Sequence, residues 1–246
     1  MISKNVLVAS ILFFLSNLSF AETVKLTSLD WPPYTNESLK ERGASVAVAK
    51  AAFEAVGHQL IVEFYPWKRA VYLAKEDVSY DGYFPEYFSE ELKKDFILSN
   101  PMGSGPLGFA ELKSNSITWN TLADLKKYRV GVVSGYVNTT EFDSMVANGQ
   151  LKVSAASDDI KNLLKLASGR SDLAVIDKNV LSFLLSSDAK LKNVAPTIQF
   201  NSHLLEDKQL YICFKKGSRG EKISKAFNEG LEKIDVNAIM KSHLTN

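Results

Sequence analysis

Two tryptophans stand directly after runs that read as strands: Trp31 follows "VKLTSLD", Trp67 follows "HQLIVEFYP", and Tyr34 lies three residues past the first. A flat aromatic face offers a large apolar area and attracts an ammonium through its quadrupole, although the same rings also build cores. Asp177 closes "SDLAVID" and precedes "KNVLSFLLSS". From that place a carboxylate either holds a cation or caps the following helix. Arg69, in "PWKRA", is either a surface residue or a guanidinium able to clamp a carboxylate with two parallel bonds. Tyr83 and Phe84 are adjacent in "YDGYFP", so only one of them faces a given side of a strand. Tyr87 follows Pro85 and has a hydroxyl to donate; Glu86, beside it, is the acid nearest these groups. After Gly135 come Tyr136, Val137 and Asn138, just ahead of a helical run, and N–H groups at a helix start favour anions. Asn138 and Thr139 are polar contacts there or simple caps. His58, His203 and His243 are far apart and fit no triad or metal-ligand spacing, and no nucleophile elbow appears.

These groups need a frame. "VKLTSLD" reads as a strand ended by Pro32-Pro33, and "GASVAVAKAAFEAVG" as a helix with a glycine stop. "HQLIVEFYP" is a second strand, "WKRAVYLAKE" a short helix, "YDGYFP" a strand entering a turn at Pro85, and "DFILSNP" a fourth strand. A second cycle begins with "TLADLKKY", a helix that Thr121 caps, and runs through "RVGVVSG", "NTTEFDSMVANG", "QLKVSAAS", "DDIKNLLKLASG" and "SDLAVID" to "KNVLSFLLSS". Two helices from Arg219 to Leu244 close the chain. Alternating strands and helices imply α/β architecture with mostly parallel sheets flanked by helices. Longer strands at 106–113 and 208–216 predict two crossings between two lobes. The expected division is 22–110 for the first part of lobe 1, 111–207 for lobe 2, and 208–246 for the completion of lobe 1. Ligands in such folds sit at the C-terminal ends of strands, here facing a cleft between lobes.

The chain opens with "MISKNVLVASILFFLSNLSFAE": one lysine, a short apolar run, then small residues at a cleavage position. This predicts a secretory signal peptide over 1–21 and an exported chain without a lipid anchor, since no cysteine stands at the junction. Cys213 is the sole cysteine, so no internal disulfide forms. Removing Lys4 with the leader leaves 28 basic residues against 28 acidic. That balance excludes a nucleic-acid surface, which needs a basic excess.

"WPPY", "PWKRA", "DGYFP", "SNP", "GVVSG" and "GRSDLAVID" stand in this order, and together they resemble the type II periplasmic solute-binding proteins of family 3. That resemblance covers nearly the whole chain after the leader. It implies a two-lobed periplasmic binding protein that closes on a small polar, amino-acid-like solute and delivers it to an inner-membrane ABC permease, as a monomer without cofactor or metal. It implies that Trp31, with Tyr34 nearby, and Trp67 sandwich the ligand and that Asp177 binds an α-ammonium. Tyr83, Tyr87, Tyr136, Asn138 and Arg69 are the further cleft candidates that the residues themselves offer, and Tyr136 and Val137 stand where family members usually place Ser or Thr hydroxyls for the ligand carboxylate. Family members carry an arginine in the stretch that reads here "SEELKKDFILSNP". Counting back from "SNP" puts that position at Leu92, and counting forward from "DG" puts it nearer Lys93. Neither supplies the planar fork of arginine. Two other readings of the same fold remain: an accessory or sensor protein, and a dehydratase-like enzyme with Glu86 as its acid.

Overall fold

The computed structural model describes residues 22–244; the leader expected over 1–21 lies outside the described residues. Among the described residues ten strands and seven α-helices follow in chain order. The first lobe begins with β1 (Thr23–Ser28), α1 (Ala44–Glu54), β2 (Gln59–Phe64), α2 (Trp67–Glu76), β3 (Gly82–Tyr87) and β4 (Phe96–Leu98). β5 (Ser104–Leu112) leads into β6 (Val130–Val133), α3 (Thr140–Ala147), β7 (Val153–Ala156), α4 (Asp159–Ala167), β8 (Leu173–Asp177), α5 (Lys178–Ser187) and β9 (Ile198–Phe200). β10 (Glu206–Lys215) returns, followed by α6 (Ser218–Leu231) and α7 (Val236–Leu244). No helix among the described residues is long and apolar enough to cross a membrane.

The strand order is β2-β1-β3-β10-β5-β8-β6-β7, with β4 on β10 and β9 on β5. β1 pairs β2 and β3 in parallel, and β6 pairs β7 and β8 in parallel, as the βαβ pattern requires. Strands that join the two cycles add antiparallel ladders. β10 pairs β5 through residues 206–209, then β3 and β4 through residues 210–215. One strand therefore serves both sheets, and the partner changes between Gln209 and Leu210.

Packing follows the apolar pattern. α1 is buried along most of its length and lies under α6 and α7. The loop after β1 is tied to the start of α1: Ala44 N–H donates to the Pro33 carbonyl (3.0 Å) and Ser45 N–H to the Tyr34 carbonyl (2.8 Å). Gly43 permits that approach, since its φ is 102° and a Cβ there would stand 2.6 Å from the Tyr34 oxygen. Tyr34 is thus held by orphan donors of a helix N-terminus.

Two expectations are corrected. The strand over 82–87 does not turn at Pro85; it runs on to Tyr87, opposite Leu210, with an irregular register where β10 passes Pro85. Proline lacks the ladder N–H, and the irregularity absorbs that loss instead of a turn. "TLADLKKY" forms a 3-10 helix over Leu122–Lys127, with Thr121 at its N-cap as expected and Asp124 accepting from the Thr121 N–H at 2.9 Å.

Candidate functional site

The C-terminal ends of β1, β2, β3 and β8 meet between the lobes, and the loops there bring the predicted aromatics together. The Trp31 ring stacks on Tyr34 with centres 4.6 Å apart and meets the edge of Tyr87 at 5.9 Å. Trp67, the first residue of α2, meets Tyr83 at 5.4 Å and Tyr136 of the other lobe at 5.7 Å, both edge to face. Its indole N–H donates to the Gly135 carbonyl at 2.9 Å, bridging the lobes. Such T-shaped pairs suit the ring quadrupoles.

Asp177 takes its expected place as the cap of α5 with one oxygen and turns the other toward the first lobe. Oδ1 caps α5, accepting from the N–H groups of Asn179 (2.7 Å) and Val180 (3.1 Å). Oδ2 faces the first lobe and accepts from the hydroxyls of Tyr34 (3.1 Å) and Tyr87 (3.5 Å). The Asn179 side-chain amide donates to the Tyr34 hydroxyl at 2.8 Å. Burial pushes the Asp177 carboxyl up to about 7 despite these donors, and burial together with the Asp177 charge raises the Tyr34 phenol.

Two further acids share this environment. Glu86 accepts from the Tyr87 N–H (2.8 Å) and the Tyr83 hydroxyl (3.1 Å), and burial pushes its carboxyl up to about 8. Asp159, at the start of α4, accepts from the Tyr136 hydroxyl at 3.3 Å and is pushed up to about 7 by burial. The sequence reading missed Asp159, yet "SDDI" carried a signal. Asp158 caps α4 by accepting from the Lys161 N–H at 2.8 Å, so the second aspartate is left for the cleft. Lys208 was missed as well. Leu210, Ile212 and Phe214 are buried in β10, and the two-residue period places Lys208 in phase with them.

Other predicted residues stand apart from this cluster. Arg69 is exposed on α2, its guanidinium 5.2 Å from the Tyr65 ring centre. Lys93 pairs with Glu90 at 2.8 Å and lies 4.9 Å from the Phe88 ring centre. The stretch 90–94 is a 3-10 turn capped by Ser89, and Leu92 is its inward anchor against the core. Asn138 is buried but engaged by Asp143, which accepts from its N–H and its side-chain amide, each at 2.8 Å. Asp172 binds the Arg129 guanidinium, as its place in the turn before β8 suggests.

The space left among Trp31, Trp67, Glu86, Tyr87 and Tyr136 is about 20 Å³, room for roughly one water. A groove of about 310 Å³ adjoins it, lined by Trp31, Tyr136, Asp30, Asp158, Asp159 and Asp188. Among the described residues no group of three or more His, Cys, Asp or Glu is placed to hold a metal ion. The arrangement combines aromatic walls, buried carboxyls and backbone from both lobes, which is equipment for holding a small polar molecule.

The sequence matches no protein-family model and no curated protein. Solved structures do resemble the chain. An ancestral arginine-binding protein bound to arginine is 20% identical, covers 90% of this chain and 96% of its own, and superposes with a TM-score of 0.71. A histidine kinase sensor domain with similarity to periplasmic binding proteins is 17% identical over 92% of this chain and 97% of its own, with a TM-score of 0.77. An amino acid ABC transporter substrate-binding protein from Streptococcus pneumoniae, bound to L-arginine, is 16% identical over 89% and 94%, with a TM-score of 0.71. At these identities the likeness speaks for architecture: the chain takes the two-lobed type II periplasmic-binding-protein fold found in amino acid ABC transporter substrate-binding proteins.

Proposed function

We propose that the protein is exported to the periplasm and binds a small polar, amino-acid-like solute in the cleft between its lobes, for delivery to an inner-membrane ABC permease. The carrying observation is that side chains from both lobes converge on one point. Tyr34 reaches across to Asp177, and Trp67 to the Gly135 carbonyl. Binding there shifts an open–closed equilibrium, with the bend where β10 exchanges partners at Gln209–Leu210. No chemical step is required of the protein. The balanced charge and the likeness to amino-acid-binding proteins support the same reading.

A thermal-shift screen of polar solutes tests it. A solute that raises the unfolding temperature with the logarithm of its concentration above Kd, and compacts the protein in small-angle scattering, supports closure; tight binding with an unchanged radius of gyration argues against it. A receptor role is the second reading, in which a membrane signalling partner senses the closed form. Similarity to a histidine kinase sensor domain over 92% of this chain favours it. Co-purification from membranes with a permease or with a signalling protein separates the two.

A further inference from the structure

The cleft holds buried carboxyls, and a solute with an anionic end needs a cation to meet it. The chain has five arginines, and each is engaged elsewhere. Arg42 donates to the Val62 carbonyl, Arg69 lies over Tyr65, Arg129 binds Asp172, Arg170 donates to Ser168, and Arg219 binds Asp81. Lys93 is spent on Glu90 at the surface.

Lys208 is different. Its side chain is 5% exposed, a burial that lysine seldom reaches without a firm partner. Among the described residues the one carboxylate within ion-pair reach is Glu206, 3.4 Å away and about half exposed, a pairing that contributes little. The ammonium otherwise lies 5.6 Å from the Tyr87 ring centre. Its direction follows from register. Lys208 stands opposite Gly105, and opposed residues of an antiparallel pair share a face. A Cβ on Gly105 would meet the Tyr34 hydroxyl at 2.1 Å and Asp177 Oδ2 at 2.2 Å, so that face is the one turned to Asp177. Lys208 also opposes the upward shift of Glu86, which places its charge within electrostatic reach of the cleft.

Resting on the solute-binding reading above, we propose that Lys208 binds the anionic end of the solute while Asp177 takes its ammonium end. The cleft then selects zwitterions through a lysine on the strand shared by both sheets, and not through a guanidinium on the 90–94 turn.

Calorimetry with the standard L-amino acids and their α-carboxamides tests this. The amide keeps the ammonium and side chain but removes the negative charge. The wild type is expected to bind the best acid about 10- to 100-fold more tightly than its amide, the range of one charge-assisted hydrogen bond. Lys208→Met should erase that preference, Lys208→Arg should retain part of it, and Asp177→Asn should weaken acid and amide alike. Lys68→Met, at the exposed cleft rim near Gly135, serves as the control that keeps the preference. Equal binding of acid and amide by the wild type, or a preference that survives Lys208→Met or vanishes in Lys68→Met, overturns the role of Lys208 and leaves solute binding intact. A wild type that binds no member of the panel overturns both. The comparison of acid with amide on the wild type requires no variant to fold.

Discussion

Glu63 and Glu86 lie in neighbouring parts of the first lobe, and both accept hydrogen bonds from tyrosines, yet their acidities move in opposite directions. Glu63 sits at the rim with Lys25 at 2.7 Å and the hydroxyls of Tyr65 and Tyr80 beside it; the Lys25 hydrogen bond leads in lowering its carboxyl to about 2. Glu86 has the Tyr83 hydroxyl and the Tyr87 N–H but no cation in contact, and burial raises it to about 8. The difference teaches how to sort the acids of this protein. A carboxylate with its charge answered locally is part of the scaffold. A buried carboxyl with no cation in contact holds its proton to higher pH.

The heaviest blow to the cleft side is Trp67→Ala. It removes a buried ring and the bridge to Gly135, and should destabilise the fold by about 3–5 kcal/mol in urea denaturation. A loss below about 1 kcal/mol would mean the ring is not packed as described.

The pH response sharpens the contrast next. Glu86, Asp159 and Asp177 bind protons more tightly in the folded state than when unfolded, so folding takes up protons between their ordinary values near 4 and their raised values of 7 to 8. Stability should therefore fall as pH rises through that window, by at most roughly 1.4 kcal/mol per pH unit for each group. Glu86→Gln should flatten the decline between about pH 4.5 and 8 in urea titrations. Glu63 works the opposite way: its contribution is present above its ordinary value and is lost as pH falls toward about 2. A wild type whose stability rises steadily from pH 5 to 8 would break the distinction.

Tyr34→Phe is milder. It removes one donor to Asp177 and one acceptor for Asn179, and should cost ~1 kcal/mol in the same assay. The smallest effect belongs to the rim: Lys25→Met should leave the decline above pH 4.5 unchanged and alter only the acid arm below it, read by circular dichroism from pH 2 to 5.

The alternation of elements was plain in the residues because local rules decide it. "WKRAVYLAKE" is helical over Trp67–Glu76, the span its pattern and the preceding proline mark out. The place of Trp31, Tyr34, Trp67 and Asp177 at strand ends was legible for the same reason. What escaped depends on long-range pairing. Pro85 looks like a stop until β10 is seen to supply the opposite edge of β3. β9 is a three-residue strand paired with β5, too short to show an alternation. Lys208 reads as one more surface lysine until its register opposite Gly105 turns it inward. Arg69 and Lys93 carry the right charge, but their direction is set by the helix face and the turn on which they lie, which charge alone does not reveal.

The position of β10 has a consequence for how the chain comes into being. It lies centrally in the strand order, between β3 and β5, yet occupies residues 206–215 of a 246-residue chain. A polypeptide emerging N-terminus first can complete neither sheet until most of its length is out, because both β3 and β5 wait for the same late partner. α6 and α7, which cover α1, arrive later still. The sheet of the first lobe is therefore completed last, whereas β5, β6, β7 and β8 can already pair with one another before β10 emerges.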